Sequence, residues 1–258
     1  MCTIQPRYIP NKDAKDIVIF IHGIVEGPEQ FAHLMEISVA SGYAAAALLL
    51  PGHGGSGKEF AQSSKEEWQN HVYQQIKMYR EKYDHIILAG HSMGGLLSFL
   101  AYLESPKQII GIIVIDTPLY VYTKWRAIRN NLKVGFCKNI PEHDPASALL
   151  RASSVAPCSV FRYVTWAPRI IDLFQLMART RKILPQITIP TLVFHADQDE
   201  LVSAYSVRVF ERKLPQSNRT IVRLPYSTHF AYGEKDLKIL YETFLHFLRN
   251  LQPMNEPS

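Results

Sequence analysis

The sequence predicts an α/β protein with a mostly parallel sheet, flanking helices and a helical cap insertion. Three observations predict this architecture. Apolar runs of strand length alternate with amphipathic runs of helix length along most of the chain. The strand runs are apolar on both faces, as in sheets that helices cover on both sides. One interval, 119–186, has helical patterns without a convincing strand, and 258 residues suffice for one large domain with an insertion.

Glycine and proline bound the first two strands. Residues 16–21 form a continuous apolar run that ends at His22-Gly23, and residues 43–50 form the longest apolar run, which Pro51-Gly52 stops. Between them, residues 30–40 carry apolar side chains at helical spacing. We therefore expect a strand, a helix and a second buried strand in this order.

A long helix is expected from Ser63 to about Tyr83. Ser63 and Glu66 have the spacing of a capping box, and apolar residues from Trp68 onward recur at intervals of four, four and three. The rest of the core continues the alternation, with strands expected at 85–89, 109–115, 191–195 and 220–224 and helices at 96–103, 204–213 and 236–250.

Residues 119–186 interrupt the alternation and hold the excess of positive charge. Eleven Lys and Arg against three Asp and Glu give this segment a net +8, so the other residues together carry −3. Helical patterns at 122–136 and 166–184 lie among these cations. We expect a core of 1–118 and 187–258 with 119–186 inserted as a cap. Such basic helices either lie on an anionic membrane surface or pack their apolar face on the protein and leave their charges in solvent.

Composition narrows the classes of protein. The hydrophobic fraction of 47% and charged fraction of 20% are those of a soluble globular protein, and no stretch of about 18 apolar residues indicates a transmembrane helix. The first residues do not resemble a secretory signal, and three scattered cysteines without metal-type spacing fit reduced thiols. We expect a cytoplasmic protein without cofactor, metal ion or nucleic-acid partner; the oligomeric state stays open.

Ser92 is the candidate nucleophile. It lies in Gly90-His91-Ser92-Met93-Gly94, directly after the strand at 85–89 and before a helix. A turn this tight crowds its flanking positions, which explains the glycines, and it lifts the serine hydroxyl clear of the sheet edge. The alternative is a glycine-rich turn in which Ser92 only caps the helix. The strand and helix on either side favour a catalytic serine.

A serine hydroxyl needs a base, and four histidines follow Ser92 in the chain. His246 lies in the last amphipathic helix, His195 ends a strand and His143 belongs to the insertion. His229 follows the last strand, at the carboxyl edge of the sheet where open α/β sheets place their sites. His229 is therefore the candidate base, although an ordinary loop histidine would also fit this position.

The acid is expected after the strand that precedes His229. The chain order for such sites is serine, acid, histidine, and the carboxylate fixes the imidazole tautomer and stabilises its cation. Asp197 and Asp199 both follow the strand at 191–195, and Asp199 is better placed because it lies just past the tight turn. Asp116, at the end of the strand at 109–115, is a third candidate that also fits a turn or cap.

Two backbone N–H groups are expected to hold a developing oxyanion. One belongs to Met93, at the start of the helix after Ser92, and the other to Ile24, in the loop after the first strand. Gly23 would let this loop approach a substrate closely. His22 and His53 are interpreted as residues that brace their loops.

Four motifs occur in an order that is typical of α/β-hydrolases. The chain resembles the bacterial carboxylesterases and monoacylglycerol lipases of that fold, from about residue 16 to residue 251. The resemblance rests on His22-Gly23, Glu26-Gly27-Pro28-Glu29-Gln30-Phe31, Gly52-His53-Gly54-Gly55-Ser56 and Gly90-His91-Ser92-Met93-Gly94-Gly95. It implies the α/β-hydrolase fold with a small helical cap, and Asp199 and His229 match that group's acid and base.

The chain departs from the group at three places. Leu50-Pro51 stands where many monoacylglycerol lipases carry an acidic residue before Gly-His-Gly. Only about 15 residues precede the first clear strand, so the opening antiparallel strands look shortened or absent. The insertion matches no motif of the group, and substrate specificity therefore does not carry over.

The sequence predicts serine-dependent hydrolysis of short- to medium-chain carboxylic esters by Ser92, His229 and Asp199. The partner is then a small-molecule ester. A second hypothesis is a monoacylglycerol or lysophospholipid lipase that contacts a lipid surface through its basic cap. A third is a non-catalytic ligand-binding protein on the same fold. Acyl transfer and peptide cleavage use the same residues and stay open.

Overall fold

The computed structural model describes residues 4–122, 133, 140–141, 144–156 and 163–251. Its centre is one seven-stranded sheet with the order β1-β3-β2-β4-β5-β6-β7. β1 pairs with β3 antiparallel, and all other neighbours pair in parallel, which confirms the predicted mostly parallel sheet. The strands are β1 (Arg7–Ile9), β2 (Asp16–Ile21), β3 (Ala44–Ala47), β4 (His85–His91), β5 (Ile109–Ile115), β6 (Thr191–Ala196) and β7 (Arg219–Leu224).

The central strands are buried on both faces because their side chains alternate between two apolar clusters. In β2, Ile17, Ile19 and Ile21 belong to one cluster, whereas Val18 and Phe20 belong to the other. This double burial is why the strands read as continuous apolar runs in the sequence. β1 was not predicted, since three residues are too few for a recognisable alternation.

Helices cover both faces of the sheet. α3, α4, α6 and α7 supply the apolar cluster on one face, and α1 and α8 supply the cluster on the other. The helices of the described residues are α1 (Ala32–Ala40), α2 (Gly57–Gln62), α3 (Lys65–Arg80), α4 (Met93–Glu104), α5 (Pro145–Ala152), α6 (Ala167–Ile183), α7 (Tyr205–Lys213) and α8 (Glu234–Leu251).

The start of α3 differs from the prediction by one residue. Ser64 is the N-cap, and its side chain accepts a hydrogen bond from the Glu67 N–H at 3.2 Å. Ser63 instead ends α2, where its N–H bonds to the Glu59 carbonyl at 3.2 Å. The predicted Ser63–Glu66 capping box is therefore wrong, because α2, which was not predicted, already uses Ser63. A capping box does occur at the start of α2, between Ser56 and Glu59.

The described residues of the interval 119–186 include two helices, α5 and α6. α6 packs on the core through Leu176 and Met177, and its start is tied to α2 by the bond from Trp166 Nε1 to the Gly57 carbonyl at 3.0 Å. The helix predicted at 122–136 lies outside the described residues, apart from Tyr122 and Lys133. None of the described helices has the length and apolar character required to cross a bilayer.

Candidate active site

Ser92 lies in a strained turn between β4 and α4. Its backbone has φ 52° and ψ −121°, a left-handed region that non-glycine residues rarely occupy. The turn is held against the end of β5, because the Ser92 N–H donates to the Ile115 carbonyl at 2.9 Å. The predicted strand-to-helix turn is therefore present, and α4 begins at Met93 rather than at 96.

Glycine is required on both sides of this serine. A Cβ at Gly94 would overlap the carbonyl of Ile21, and a Cβ at Gly90 would overlap the Gly94 backbone. Strand β2 and helix α4 can thus approach only if both positions lack a side chain. The steric reason given for the motif in the sequence holds in the structure.

Ser92, His229 and Asp199 form a chain of contacts. His229 Nε2 lies 3.1 Å from Ser92 Oγ, and His229 Nδ1 lies 2.7 Å from Asp199 Oδ2. All three residues are buried. Because a carboxylate only accepts hydrogen bonds, Nδ1 carries the proton and leaves Nε2 facing the serine hydroxyl.

Asp199 is held in place by its own turn. Its Oδ1 accepts hydrogen bonds from the backbone N–H groups of Leu201 and Val202, each at 2.7 Å, which leaves Oδ2 for His229. Asp197 points away and pairs with Arg223 at 2.5 Å. Of the two aspartates after β6, Asp199 therefore contacts the histidine.

The buried charges shift each other's pKa values. Burial opposes the charged form of both His229 and Asp199, but their mutual attraction and hydrogen bond prevail. The pKa of His229 is raised to about 9, and the pKa of Asp199 lies below its usual value. The imidazolium form of His229 is thus strongly favoured next to this carboxylate.

Asp116, the third candidate acid, lies close to the same histidine without bonding to it. Its carboxylate accepts hydrogen bonds from the Ala196 N–H and the Tyr232 hydroxyl, each at 2.6 Å. Burial, followed by the charge of Asp199, raises the pKa of Asp116 to about 6. One side-chain atom each of Asp116, Asp199 and His229 lie within 4.8 Å of one another.

The two predicted oxyanion donors lie in different segments of the chain. Met93 begins α4, and Ile24 lies in the loop after β2, which contacts the start of that helix through Gly94. Among the described residues, no acceptor bonds to the backbone N–H of Ile24 or Met93. That these two N–H groups bind an oxyanion stays a prediction.

His22 and His53 brace the loops as expected. His22 Nε2 accepts from the Leu50 N–H at 3.0 Å, and His53 Nε2 accepts from the Val25 N–H at 3.1 Å. Burial lowers the pKa of His22 to about 4 and that of His53 to about 3, so both rings are neutral at pH 7.

Glu26 and His91 were quoted in motifs but given no role by sequence reasoning. Glu26 is 1% exposed, and its Oε2 lies 2.8 Å from His91 Nδ1. Its Oε1 lies 3.9 Å from His229 Nε2. The only signal in the sequence was an acidic residue three positions after Gly23. It was missed because a loop residue follows no helix or strand period.

The remaining histidines do not contact Ser92 in the described structure. His195 is buried at the end of β6, with Nδ1 3.9 Å from Asp116 Oδ1, and burial lowers its pKa to about 4. His246 is exposed on α8, and His143 lies outside the described residues. Glu26, His91 and His229 also form a group with metal-ligand spacing, but these side chains already bond to one another or to Ser92. That the protein needs no metal stays a prediction.

A cavity of about 380 Å³ opens beside His229, between α1, α5 and α8. Its lining is mixed, with Leu34, Ile115 and Leu237 supplying apolar surface and Tyr232 and Arg151 supplying polar groups. It is large enough for a small organic group.

Comparison with known proteins places the chain among hydrolases. The family model described as serine aminopeptidase, S33, matches residues 12–236. The thermostable monoacylglycerol lipase of Bacillus sp. (strain H-257) is 26% identical over 244 residues, which are 94% of this chain and 93% of the relative.

Two solved structures share the fold. One, from work on the metagenome-derived lipolytic enzymes LipS and LipT, has a TM-score of 0.77 at 22% identity and covers 97% of this chain and 99% of its own. The other, a soluble variant of the monoglyceride lipase of Saccharomyces cerevisiae in complex with a substrate analog, has a TM-score of 0.72 at 16% identity, with 96% and 92% covered. These similarities confirm the expected α/β-hydrolase fold.

Proposed function

This chain belongs to the serine aminopeptidase S33 family of hydrolases, and from that premise we propose serine-dependent hydrolysis of carboxylic esters. Ser92 is the nucleophile, His229 the base and Asp199 the acid. The observation that carries the proposal is the buried chain of contacts from Ser92 Oγ to His229 and on to Asp199, at 3.1 and 2.7 Å. The esterases and lipases among its relatives support an ester as the substrate class.

The reaction follows from this geometry. His229 Nε2 takes the proton of Ser92 as Oγ attacks the ester carbonyl, and the N–H groups of Ile24 and Met93 hold the oxyanion. His229 then returns the proton to the leaving alcohol while the acyl group stays on Ser92. A water molecule, deprotonated in the same way, releases the carboxylic acid and restores the serine. Asp199 stabilises the imidazolium in both halves.

The substrate class is short- to medium-chain acyl esters. The cavity beside His229, with a volume of about 380 Å³, lies in the size range of small-molecule sites and can take up part of such an ester. The insertion, residues 119–186, would cover the acyl side of the site as a cap.

The test is a pair of matched serine variants. Ser92→Ala is expected to lose turnover of p-nitrophenyl butyrate and labelling by a fluorophosphonate. Ser98→Ala removes a buried hydroxyl from α4, the helix that follows Ser92. This variant is expected to keep both turnover and labelling, because Ser98 Oγ bonds to the Gly94 carbonyl at 2.9 Å. Undiminished turnover by Ser92→Ala would refute the proposal, and an unlabelled, inactive wild type would favour a ligand-binding protein.

Peptide cleavage is tested in the same assay, since the family description refers to an aminopeptidase. We expect purified protein to hydrolyse p-nitrophenyl esters and monoglycerides and to leave amino-acid p-nitroanilides uncleaved. Turnover of the anilides at a rate comparable to the esters would replace the esterase proposal by a peptidase.

A lipase that acts on monoacylglycerols or lysophospholipids at a lipid surface is the second candidate. Its support is a set of exposed apolar side chains in and just before α6, namely Val164, Ile170, Ile171 and Phe174, with Val164 74% exposed. Exposed apolar side chains grouped in this way are typical of interaction surfaces.

Most described cations of residues 119–186 bond within the protein, namely Lys133 to Asp144, Arg151 to Ser147, Arg169 to Asp172, Arg179 to Gln69 and Arg181 to the Leu119 carbonyl. Ser147, Gln69 and the carbonyl are neutral, and Asp144 and Asp172 are already counted in the net +8. The excess of positive charge is therefore still present and would add to the attraction of an anionic lipid surface.

Vesicle binding tests this candidate. Ile171→Ser/Phe174→Ser should reduce co-sedimentation with phosphatidylcholine vesicles, whereas Met78→Ser, which removes an exposed apolar side chain from α3, should not. A wild type that binds neither zwitterionic nor anionic vesicles would exclude the lipid-surface candidate.

A further inference from the structure

The carboxylate of Glu26 links the loop after β2 to the turn that carries Ser92. Its Oε2 accepts three hydrogen bonds, from the Gly23 N–H at 2.6 Å, from His91 Nδ1 at 2.8 Å and from Gln30 Nε2 at 2.9 Å. A Cβ at Gly23 would lie 2.5 Å from this carboxylate. Gly23 is therefore needed because Glu26 occupies the space next to it. The backbone of the candidate oxyanion loop is thus fixed by this side chain.

His91 is placed between two acceptors. Its Nδ1 faces Glu26 Oε2 at 2.8 Å, and its Nε2 faces the backbone carbonyl of His229 at 3.2 Å. A carboxylate only accepts hydrogen bonds, so Nδ1 of His91 donates to Glu26 at the shorter of the two distances. His91 therefore ties the buried carboxylate of Glu26 to the residue that precedes Ser92.

The other oxygen of Glu26 faces the site itself. Oε1 lies 3.9 Å from His229 Nε2, the nitrogen that also contacts Ser92 Oγ at 3.1 Å. The imidazole of His229 therefore has a carboxylate near each ring nitrogen, Asp199 at Nδ1 and Glu26 near Nε2. A carboxylate at this distance favours the cationic form of the ring.

We propose that Glu26 is a second acidic positioning residue of this site, which acts together with His91. Its carboxylate stabilises the His229 imidazolium that forms during the reaction and holds the oxyanion loop through Gly23. The hydrogen bonds from the Gly23 N–H, His91 Nδ1 and Gln30 Nε2 hold the carboxylate in this position. This inference rests on the proposed roles of Ser92 and His229.

The electrostatics of Glu26 agree with this arrangement. Burial alone would raise the pKa of the carboxyl, but the charge and hydrogen bond of His91, followed by the charge of His229, lower the pKa to about 2. Glu26 is therefore ionised at every pH at which the protein would act. The groups that face His229 are Asp199 and Glu200 after β6, Asp116 after β5, His91 at the end of β4, His195 at the end of β6 and Glu26.

The Glu26→Gln variant removes the negative charge of this side chain and keeps its shape. All three donors bond to Oε2, so the amide oxygen of glutamine can take that position and keep the loop in place. The amide NH₂ then replaces Oε1 near His229, and the negative charge is lost. Glu36→Gln, which removes an exposed carboxylate from α1, is the matched control for net charge.

The experiment is the pH profile of p-nitrophenyl butyrate hydrolysis by wild type, Glu26→Gln and Glu36→Gln. In Glu26→Gln we expect the pKa of the acidic limb of kcat/KM to fall by about one unit, since an opposite charge at this distance has been removed. The plateau kcat should fall about tenfold, because the same interaction stabilises the imidazolium in the transition state. The KM of Glu26→Gln should equal that of wild type, and Glu36→Gln should show the pH profile of wild type.

An unshifted acidic limb and an unchanged kcat in folded Glu26→Gln would overturn the proposal and leave the roles of Ser92 and His229 intact. Loss of Ser92-dependent turnover in wild type would instead overturn the proposed function. The bond between His91 and Glu26 is tested by His91→Gln, which should be less active than His91→Gln/Glu26→Gln, since only the single variant leaves a Glu26 carboxylate that lacks the donor His91 Nδ1. A double variant that is no more active would count against it.

A measurement on the wild type tests the proposal even if the variants do not fold. Nitrogen-15 NMR of histidine-labelled protein at pH 8 should show a proton on Nδ1 of His91, as the contact with Glu26 requires. A His91 ring without a proton on Nδ1 would overturn this contact and with it the proposal.

Discussion

Replacement of Asp199 by asparagine should disable the site by reversing the tautomer of His229. Asp199 Oδ1 accepts the N–H groups of Leu201 and Val202 at 2.7 Å each, so the amide oxygen of the variant must occupy this position. The amide NH₂ then faces His229 Nδ1. Because Nδ1 must accept that hydrogen bond, the ring proton moves to Nε2, which can no longer take the proton of Ser92.

The magnitude can be bounded from the structure. At the 2.7 Å between His229 Nδ1 and Asp199 Oδ2, the attraction between imidazolium and carboxylate is at most about 6 kcal/mol for an effective dielectric constant of about 20. We expect kcat to fall about 1,000- to 10,000-fold. That fall corresponds to about 4 to 5.5 kcal/mol of lost transition-state stabilisation, which lies within the bound.

The assay is steady-state hydrolysis of p-nitrophenyl butyrate between pH 5 and pH 10 by wild type, Asp199→Asn and Asp197→Asn. Asp197 pairs with Arg223 at the surface, and an exposed pair of this kind contributes little, so its variant should match wild type. In wild type the rate should rise with pH as His229 loses its proton, with a midpoint above 6.5 because its pKa is raised. Asp199→Asn activity within tenfold of wild type would refute this reasoning.

Three further predictions concern stability. Burial keeps His22 and His53 neutral, with pKa values of about 4 and 3. Their contribution to the stability of the fold is therefore complete above the unfolded pKa of about 6.5 and is lost as the pH falls below it. The free energy of unfolding should decrease by about 2 kcal/mol per histidine between pH 6.5 and pH 5, and denaturant titrations with no decrease would contradict this. Gly94→Ala should prevent folding or lower Tm sharply, since its Cβ would overlap the Ile21 carbonyl; a Tm equal to wild type would show that the turn relaxes. Val25→Gly should stabilise the fold by about 1 kcal/mol, because Val25 has φ 59°, and a lower Tm would show that its packing outweighs the strain.

The sheet and the position of the site could be predicted from the sequence because both leave strong local patterns. β2 and β5 occur at the predicted residues, since strands buried on both faces are continuous apolar runs. Ser92 stands in a turn whose glycines are imposed by steric overlap, and His229 follows the last strand at the same edge. Features that depend on the residues of a single segment could therefore be predicted from the sequence.

What the sequence did not predict depends on contacts between distant segments. The start of α3 was misplaced because two adjacent serines both fit an N-cap, and only the end of α2 decides between them. The pairing of Glu26 with His91 joins residues 65 positions apart. The bond of Arg179 could not be predicted from charge alone, because its partner Gln69 is 110 positions away in the chain and meets α6 only after folding.

The central claim, that Ser92 is the nucleophile, is tested most directly by mapping the residue that a fluorophosphonate modifies. Wild type is incubated with the probe and digested, and the modified peptide is sequenced by tandem mass spectrometry. The account predicts one adduct, on Ser92, its loss in Ser92→Ala, and strong reduction in Asp199→Asn. An adduct on another residue, or undiminished ester turnover by Ser92→Ala, would contradict it.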